Sequence, residues 1–253
     1  MRYLYILIFV LMWTPSVYAQ GLVSDLSERR IDIRTQFSGA DLILFGAIGR
    51  ASALELDQDF DIVAIVRGPE QKLVVRRKDK IAGLWINKDS VLYQTAVGYY
   101  SLAATKPLAE IAGEDQLAVH QIGIENLLLS PTLSGDVAAG ELSQFRAGLV
   151  RHLRREGLYP DEVADIEVFD DTLFRTRIRL PARVPVGSYS VDIFLFSKGR
   201  VVDHATQMLN VDKSGLERWV FSFAQDKPLY YGLAAVVIAL LSGWLAGFVY
   251  RKS

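Results

Sequence analysis

Residues 172–180, TLFRTRIRL, decide the fold class: Thr172, Phe174, Thr176, Ile178 and Leu180 fall on one side of an extended chain and Arg175, Arg177 and Arg179 on the other. Successive side chains of a strand point to opposite faces, so this stretch reads as a β-strand with one apolar face and one face that is wet or paired with acids.

The same reading extends in both directions. Ile31, Ile33, Thr35 and Phe37 alternate before a break at Ser38-Gly39-Ala40-Asp41. Leu42–Ala47 and Phe60–Val66 are apolar on both faces, as in central strands buried between two layers. Arg67-Gly68-Pro69 supplies a turn, and Leu73–Arg76, Ile81–Ile86 and Val91–Val97 read as three further short strands. Thr105 to Gly113 reads as a short helical turn capped by Thr105, and Val119–Ile124 as a strand. After turn signals at Ser130-Pro131 and Ser134-Gly135-Asp136, Leu142, Phe145, Leu149 and Leu153 keep helical spacing up to a stop at Gly157. Arg146, Arg151, Arg154 and Arg155 fall mostly on its other side and read as a solvated face. Pro185-Val186-Gly187-Ser188-Tyr189 is similar to the tyrosine corner of immunoglobulin-like sandwiches, and Ser197-Lys198-Gly199 makes a hairpin into Arg200–Val211. The expected fold class is therefore mainly β: an immunoglobulin-like sandwich over residues 20–213, one compound domain or two with a joint at 134–157.

Both ends of the chain carry membrane signals. Residues 1–19 combine Arg2, an apolar core and a small-residue site ending at Ala19, the form of a signal peptide cleaved on export. Residues 214–227 begin with the Ser214-to-Glu217 spacing of a capping box and set Leu216, Trp219, Val220 and Phe223 on one face, a juxtamembrane amphipathic helix that meets lipid or protein. Residues 228–250 are uncharged and framed by Tyr230, Tyr231, Trp244 and Tyr250, and are expected to form a single transmembrane helix. Ala235, Ala239, Gly243 and Gly247 recur every four residues along it as a helix-packing seam, for another membrane protein or a second copy. Arg251 and Lys252 then form a cytoplasmic tail, so the expected location is the inner membrane with the bulk of the chain in the periplasm.

Composition removes several functions. With a formal charge of -1 the chain lacks the basic excess of a dedicated nucleic-acid binder. No cysteine is present, so disulfides, thiolate nucleophiles and cysteine-based metal sites are excluded. His120, His152 and His204 have no paired spacing; His204, Thr206 and Met208 share a strand face, which reads as strand polarity in preference to a weak copper site. Asp57, Asp59 and Asp61 lack the glycine turn of a calcium loop. No nucleophile elbow, phosphate-binding glycine loop or dinucleotide fingerprint occurs, and no catalytic residue, cofactor or metal is assigned. The polar cluster that stands out is Arg76-Arg77-Lys78-Asp79-Lys80, which with Arg67 and Trp85 forms a candidate patch for an anion or for lipid headgroups.

Val66-Arg67-Gly68-Pro69, Arg76-Arg77-Lys78 followed by Ala82-Gly83-Leu84-Trp85-Ile86-Asn87, Phe174-Arg175 with Leu180-Pro181-Ala182, Val184 to Tyr189, and Pro228 to Gly232 ending in Gly243-Trp244 occur in this order. Together they resemble a family of uncharacterised transmembrane proteins of Alphaproteobacteria, from about Ile31 to the carboxy terminus. The resemblance implies location and architecture, and that such proteins are encoded near sulfite-exporter-type permeases. The function expected is a membrane-anchored periplasmic binding or accessory protein that assists an anion transporter. A membrane-tethered periplasmic enzyme and a structural envelope protein are the alternatives.

Overall fold

The computed structural model describes residues 21–33, 37–49, 60–81, 83–134, 139–213 and 223–250. The signal-peptide reading of residues 1–19, most of the 214–227 helix and the 251–253 tail lie outside these residues. Among them three sheets form. The first is antiparallel, with β1 (Leu22–Leu26), β3 (Gly39–Ile48), β11 (Leu173–Pro181) and β10 (Glu167–Phe169) side by side in that order. The second has the order β2 (Arg30–Ile33), β13 (Arg200–Lys213), β12 (Gly187–Ser197), β4 (Asp61–Arg67), β7 (Tyr100–Ala104) and β9 (Ala164–Asp165). The third joins β5 (Glu70–Ile81), β6 (Leu84–Val97) and β8 (Pro131–Ser134).

The second sheet is the middle layer, and its sequence shows why. In β4, Ile62, Ala64 and Val66 enter one core while Val63 and Ile65 enter another, and all five are inaccessible to solvent. β12 repeats this, with Val191, Ile193 and Leu195 on one side and Phe194 and Phe196 on the other. The first core lies against Leu42, Leu44, Phe174, Ile178 and Leu180 of the first sheet. The second lies under Val91 and Tyr93 of β6 and under α3 (Leu142–Arg155), whose Phe145, Leu149 and Leu153 face inward. Each Val, Leu, Ile and Phe side chain among these contributes roughly 1.5–3 kcal/mol by leaving water.

The opening strand behaves as its alternation requires: Phe174, Thr176, Ile178 and Leu180 are buried, the arginines between them are exposed, and Arg175 pairs with Glu167 at 2.7 Å. The Tyr189 hydroxyl donates to the Pro185 carbonyl at 2.5 Å, the bond expected of a tyrosine corner. Lys198 and Gly199 take positive φ, as the tight hairpin between β12 and β13 demands.

Other expectations are corrected. Leu42–Ala47 is buried on one face only, with Phe45 exposed at 45%, because β3 lies in an outer sheet. The three short strands between Leu73 and Val97 are two long ones, since the chain reverses at Gly83, at φ 86, inside what reads as a strand. Val119–Ile124 is no strand; α2 (Glu114–Val119), with Glu114 and Asp115 favourably placed in its first turn, runs into it. Thr105 does not cap α1 (Leu108–Ile111); its hydroxyl instead holds the start of β4, donating to Asp61 Oδ1 at 3.0 Å and accepting from the Ile62 amide at 3.1 Å. Residues 131–134, taken for a turn, form β8, with Pro131 as the first residue of an edge strand.

The largest correction concerns the carboxy terminus. A helix does form there, α4 (Pro228–Tyr250). Yet among the described residues no helix is long and apolar enough to cross a membrane, so the single transmembrane span is not supported. The topology that depended on it, with a cytoplasmic carboxy terminus, loses its support as well.

Gly46 marks a tight spot in the first sheet. Opposite Phe174 on β11, it has no room for a β-carbon, which would collide with the Phe174 ring and the Val23 carbonyl oxygen. Gly46→Ala is expected to lower stability by about 1–3 kcal/mol, because the ring can retreat only into a filled core. Urea unfolding measures it; an unchanged midpoint would count against this packing.

Candidate functional site

The fold disperses the candidate patch. Arg67, the last residue of β4, turns into a cleft away from the others, where Nη1 donates to Asp192 Oδ2 at 2.5 Å and Nη2 to the carbonyls of His120 (2.9 Å) and Gln121 (3.4 Å). That cleft, about 570 Å³, is also lined by Phe194 and His204, and no other patch member lines it. Asp192, mostly buried, accepts as well from Thr206 Oγ1 (2.8 Å) and Ser190 Oγ (3.2 Å). His204 stacks on Phe194 with centroids 4.6 Å apart, and His120 approaches that ring at 5.2 Å. Two histidines distant in sequence thus meet across one phenyl ring. Among the described residues no group of three potential ligands could hold a metal ion.

Arg77 is committed too. Its Nη2 meets Asp89 Oδ2 at 2.5 Å, its Nη1 meets Glu141 Oε1 at 2.9 Å, and the guanidinium lies 5.5 Å over the Phe145 ring. The hydrogen bonds to Glu141 and then Asp89 push its pKa up, so it is a fixed cation that fastens the β5–β6 hairpin to the start of α3.

What remains is a projecting hairpin. Arg76, Lys78, Lys80 and Trp85 are all exposed. In β6 every residue from Leu84 to Lys88 is exposed, and burial begins only at Asp89. At roughly 3.3 Å per residue the arm stands on the order of 15 Å clear of the core. Lys80 pairs with Trp85 across the ladder and Asp79 with Ile86, so Lys78, Lys80 and Trp85 share one face while Leu84 and Ile86 take the other. Leu84 at 70% and Trp85 at 68% exposure crown the tip, with Ile86 beside them. Lys88 adds a further cation, 4.0 Å from Asp79. The sequence singles out Lys78, Lys80 and Trp85 but not Lys88, and it reads Leu84 and Ile86 as part of one strand from Ile81 to Ile86; the signal for the reversal is Gly83 between two strand-forming runs.

The carboxy-terminal seam is only partly visible. Ala235, Ala239 and Gly243 are exposed on α4, and a β-carbon at Gly243 would meet nothing within 4 Å. Gly247 lies outside the residues with described side chains.

A mainly β protein of three sheets with an exposed apolar and cationic hairpin tip is the class these features define. The chain matches, over residues 21–252, the family described as "Putative transmembrane protein" (Alph_Pro_TM), and it belongs to that family. No curated protein matches it. Among solved structures it is similar to the crystal structure of AggA, the major subunit of aggregative adherence fimbriae type I from Escherichia coli. That match has 7% identity and covers 76% of this chain and 94% of that chain, at a TM-score of 0.26. A value so low equates neither fold nor role.

Proposed function

We propose that this chain is an exported accessory protein that works at a membrane surface, and that the β5–β6 tip is the part that touches lipid. The observation that carries this reading is the run Leu84-Trp85-Ile86, three successive exposed apolar side chains flanked by Lys78, Lys80 and Lys88. Soluble surfaces avoid such runs, whereas an interfacial segment needs an indole and aliphatic chains to bury below headgroup level and cations to meet phosphates. Each apolar side chain that enters the interface contributes up to about 1.5–3 kcal/mol, and each lysine about 1 kcal/mol at an anionic surface. The family description supports a membrane setting, and the gene setting that the resemblance implies, near permeases for an anion, is what suggests an accessory role with a transporter.

The absence of native cysteine makes the test clean. Leu84→Cys, labelled with a polarity-sensitive fluorophore in the otherwise intact chain, should shift to the blue on vesicles containing phosphatidylglycerol. A label at exposed Glu162→Cys should not. Adding Trp85→Ser should weaken the shift. A Leu84 label that stays in water on anionic vesicles would overturn the reading.

A further inference from the structure

α3 carries four arginines and no acidic residue. A solvated helix face normally mixes both signs, and like charges three and four residues apart, as Arg151 is from Arg154 and Arg155, repel. The negative end of the helix dipole accounts for Arg154 and Arg155 in the last turn, but Arg146 and Arg151 stand before it.

The fold gathers all four. With Glu125 and Asp161 they line one cleft of about 650 Å³ between α3 and the 3-10 turn at Ile124–Asn126. Two of them are fixed in place. Arg146 Nη2 donates to the carbonyls of Ile124 (3.1 Å), Glu125 (2.8 Å) and Leu127 (3.1 Å), and Arg154 Nε meets Asp161 Oδ1 at 2.7 Å. Among the described residues the side chains of Arg151 and Arg155 make neither an ion pair nor a hydrogen bond. Four guanidiniums against two carboxylates leave the cleft short of negative charge.

We infer that this cleft binds a small molecule bearing a phosphate or similar tetrahedral oxyanion, with Arg151 and Arg155 as its principal ligands. A guanidinium presents two parallel N–H donors to one oxyanion, which a lysine cannot do. Arg146, pinned through one nitrogen, keeps its remaining N–H groups for the same ligand. The volume lies in the range of small-molecule sites and exceeds what a lone ion fills, so the oxyanion is carried by a larger body. The site does not depend on the hairpin tip.

Inorganic pyrophosphate, titrated calorimetrically into the full chain, is expected to bind saturably at one site. Arg151→Gln and Arg155→Gln should each weaken it about tenfold or more, the worth of one charge-assisted bond. Arg175→Gln, which removes an exposed arginine on the first sheet, and Trp85→Ser should leave it unchanged. A second arm uses phosphatidylglycerol vesicles. Vesicle binding that falls in Arg155→Gln while pyrophosphate fails to bind identifies the source as a lipid headgroup; pyrophosphate binding identifies a soluble phosphate. Absence of pyrophosphate binding together with vesicle binding that Arg155→Gln leaves unchanged, or an equal loss in Arg175→Gln, overturns the inference.

Discussion

Raised above pH 10, the protein is expected to unfold cooperatively within about two pH units, with tyrosinate absorbance and loss of the β circular dichroism rising together. Tyr99, Tyr100, Tyr159 and Tyr189 are all essentially inaccessible to solvent. Burial pushes Tyr99 and Tyr100 up to about 12, and raises Tyr159 and Tyr189 further still. Their hydroxyls are also committed: Tyr99 donates to the Arg179 carbonyl at 2.9 Å and Tyr159 to Val97 at 2.7 Å, while Tyr100 accepts from the Gly123 amide at 2.7 Å. A phenol whose folded pKa lies above its unfolded value near 10 contributes its full stability below pH 10. That contribution is lost as pH rises through the folded value. Four such groups make stability fall by about 5 kcal/mol per pH unit in this window, against a total of only about 5–15 kcal/mol. Tyr99→Phe should therefore flatten the fall while lowering stability at neutral pH through the lost bond to Arg179. Smooth tyrosine titration centred near 10, with the sheets intact, would contradict the burial described.

The same tyrosines show where sequence reasoning reached and where it stopped. Tyr189 was legible because its turn lies four residues upstream, within one local motif. Tyr99 was not, because the strand carbonyl that holds it is 80 residues away. β4 was legible since Ile62–Val66 offers no polar face, and only a middle layer accepts such a strand. β3 reads almost identically but is an outer strand: nothing local tells Phe45, which is exposed, from Ile65, which is not. At the hairpin the charges of β5 were visible, yet Arg67, Arg76 and Arg77 have three fates fixed by long-range partners: Asp192, solvent, and the Asp89–Glu141 pair. The arginine cleft was hidden for the same reason. Periodicity puts Arg146, Arg151, Arg154 and Arg155 away from the core, but only the packing of residues 124–127 and 161 against α3 turns that side into a concavity.

Arg67 offers the second large effect, and it separates a structural ion pair from a merely decorative one. Arg67→Met is expected to cost about 3–5 kcal/mol, because Asp192 is then left as a nearly buried carboxylate without its cation. Two hydroxyl donors, Ser190 and Thr206, remain to Asp192 and offset only part of that cost. The same change frees the carbonyls of His120 and Gln121, so the turn after α2 loses its tie to the middle sheet. Replacing both partners by apolar residues, Arg67→Met with Asp192→Leu, removes the stranded charge and should recover most of the loss at the ion pair. It cannot restore the tie to the turn. The double variant is therefore expected to melt close to the wild type while amide exchange at residues 120–123 stays fast. Equal melting of Arg67→Met and the wild type would mean that the pair lies in full solvent, where such bridges contribute at most about 1 kcal/mol. Slow exchange in the double variant would instead assign the hold on that turn to the Tyr100 hydroxyl on the Gly123 amide rather than to Arg67.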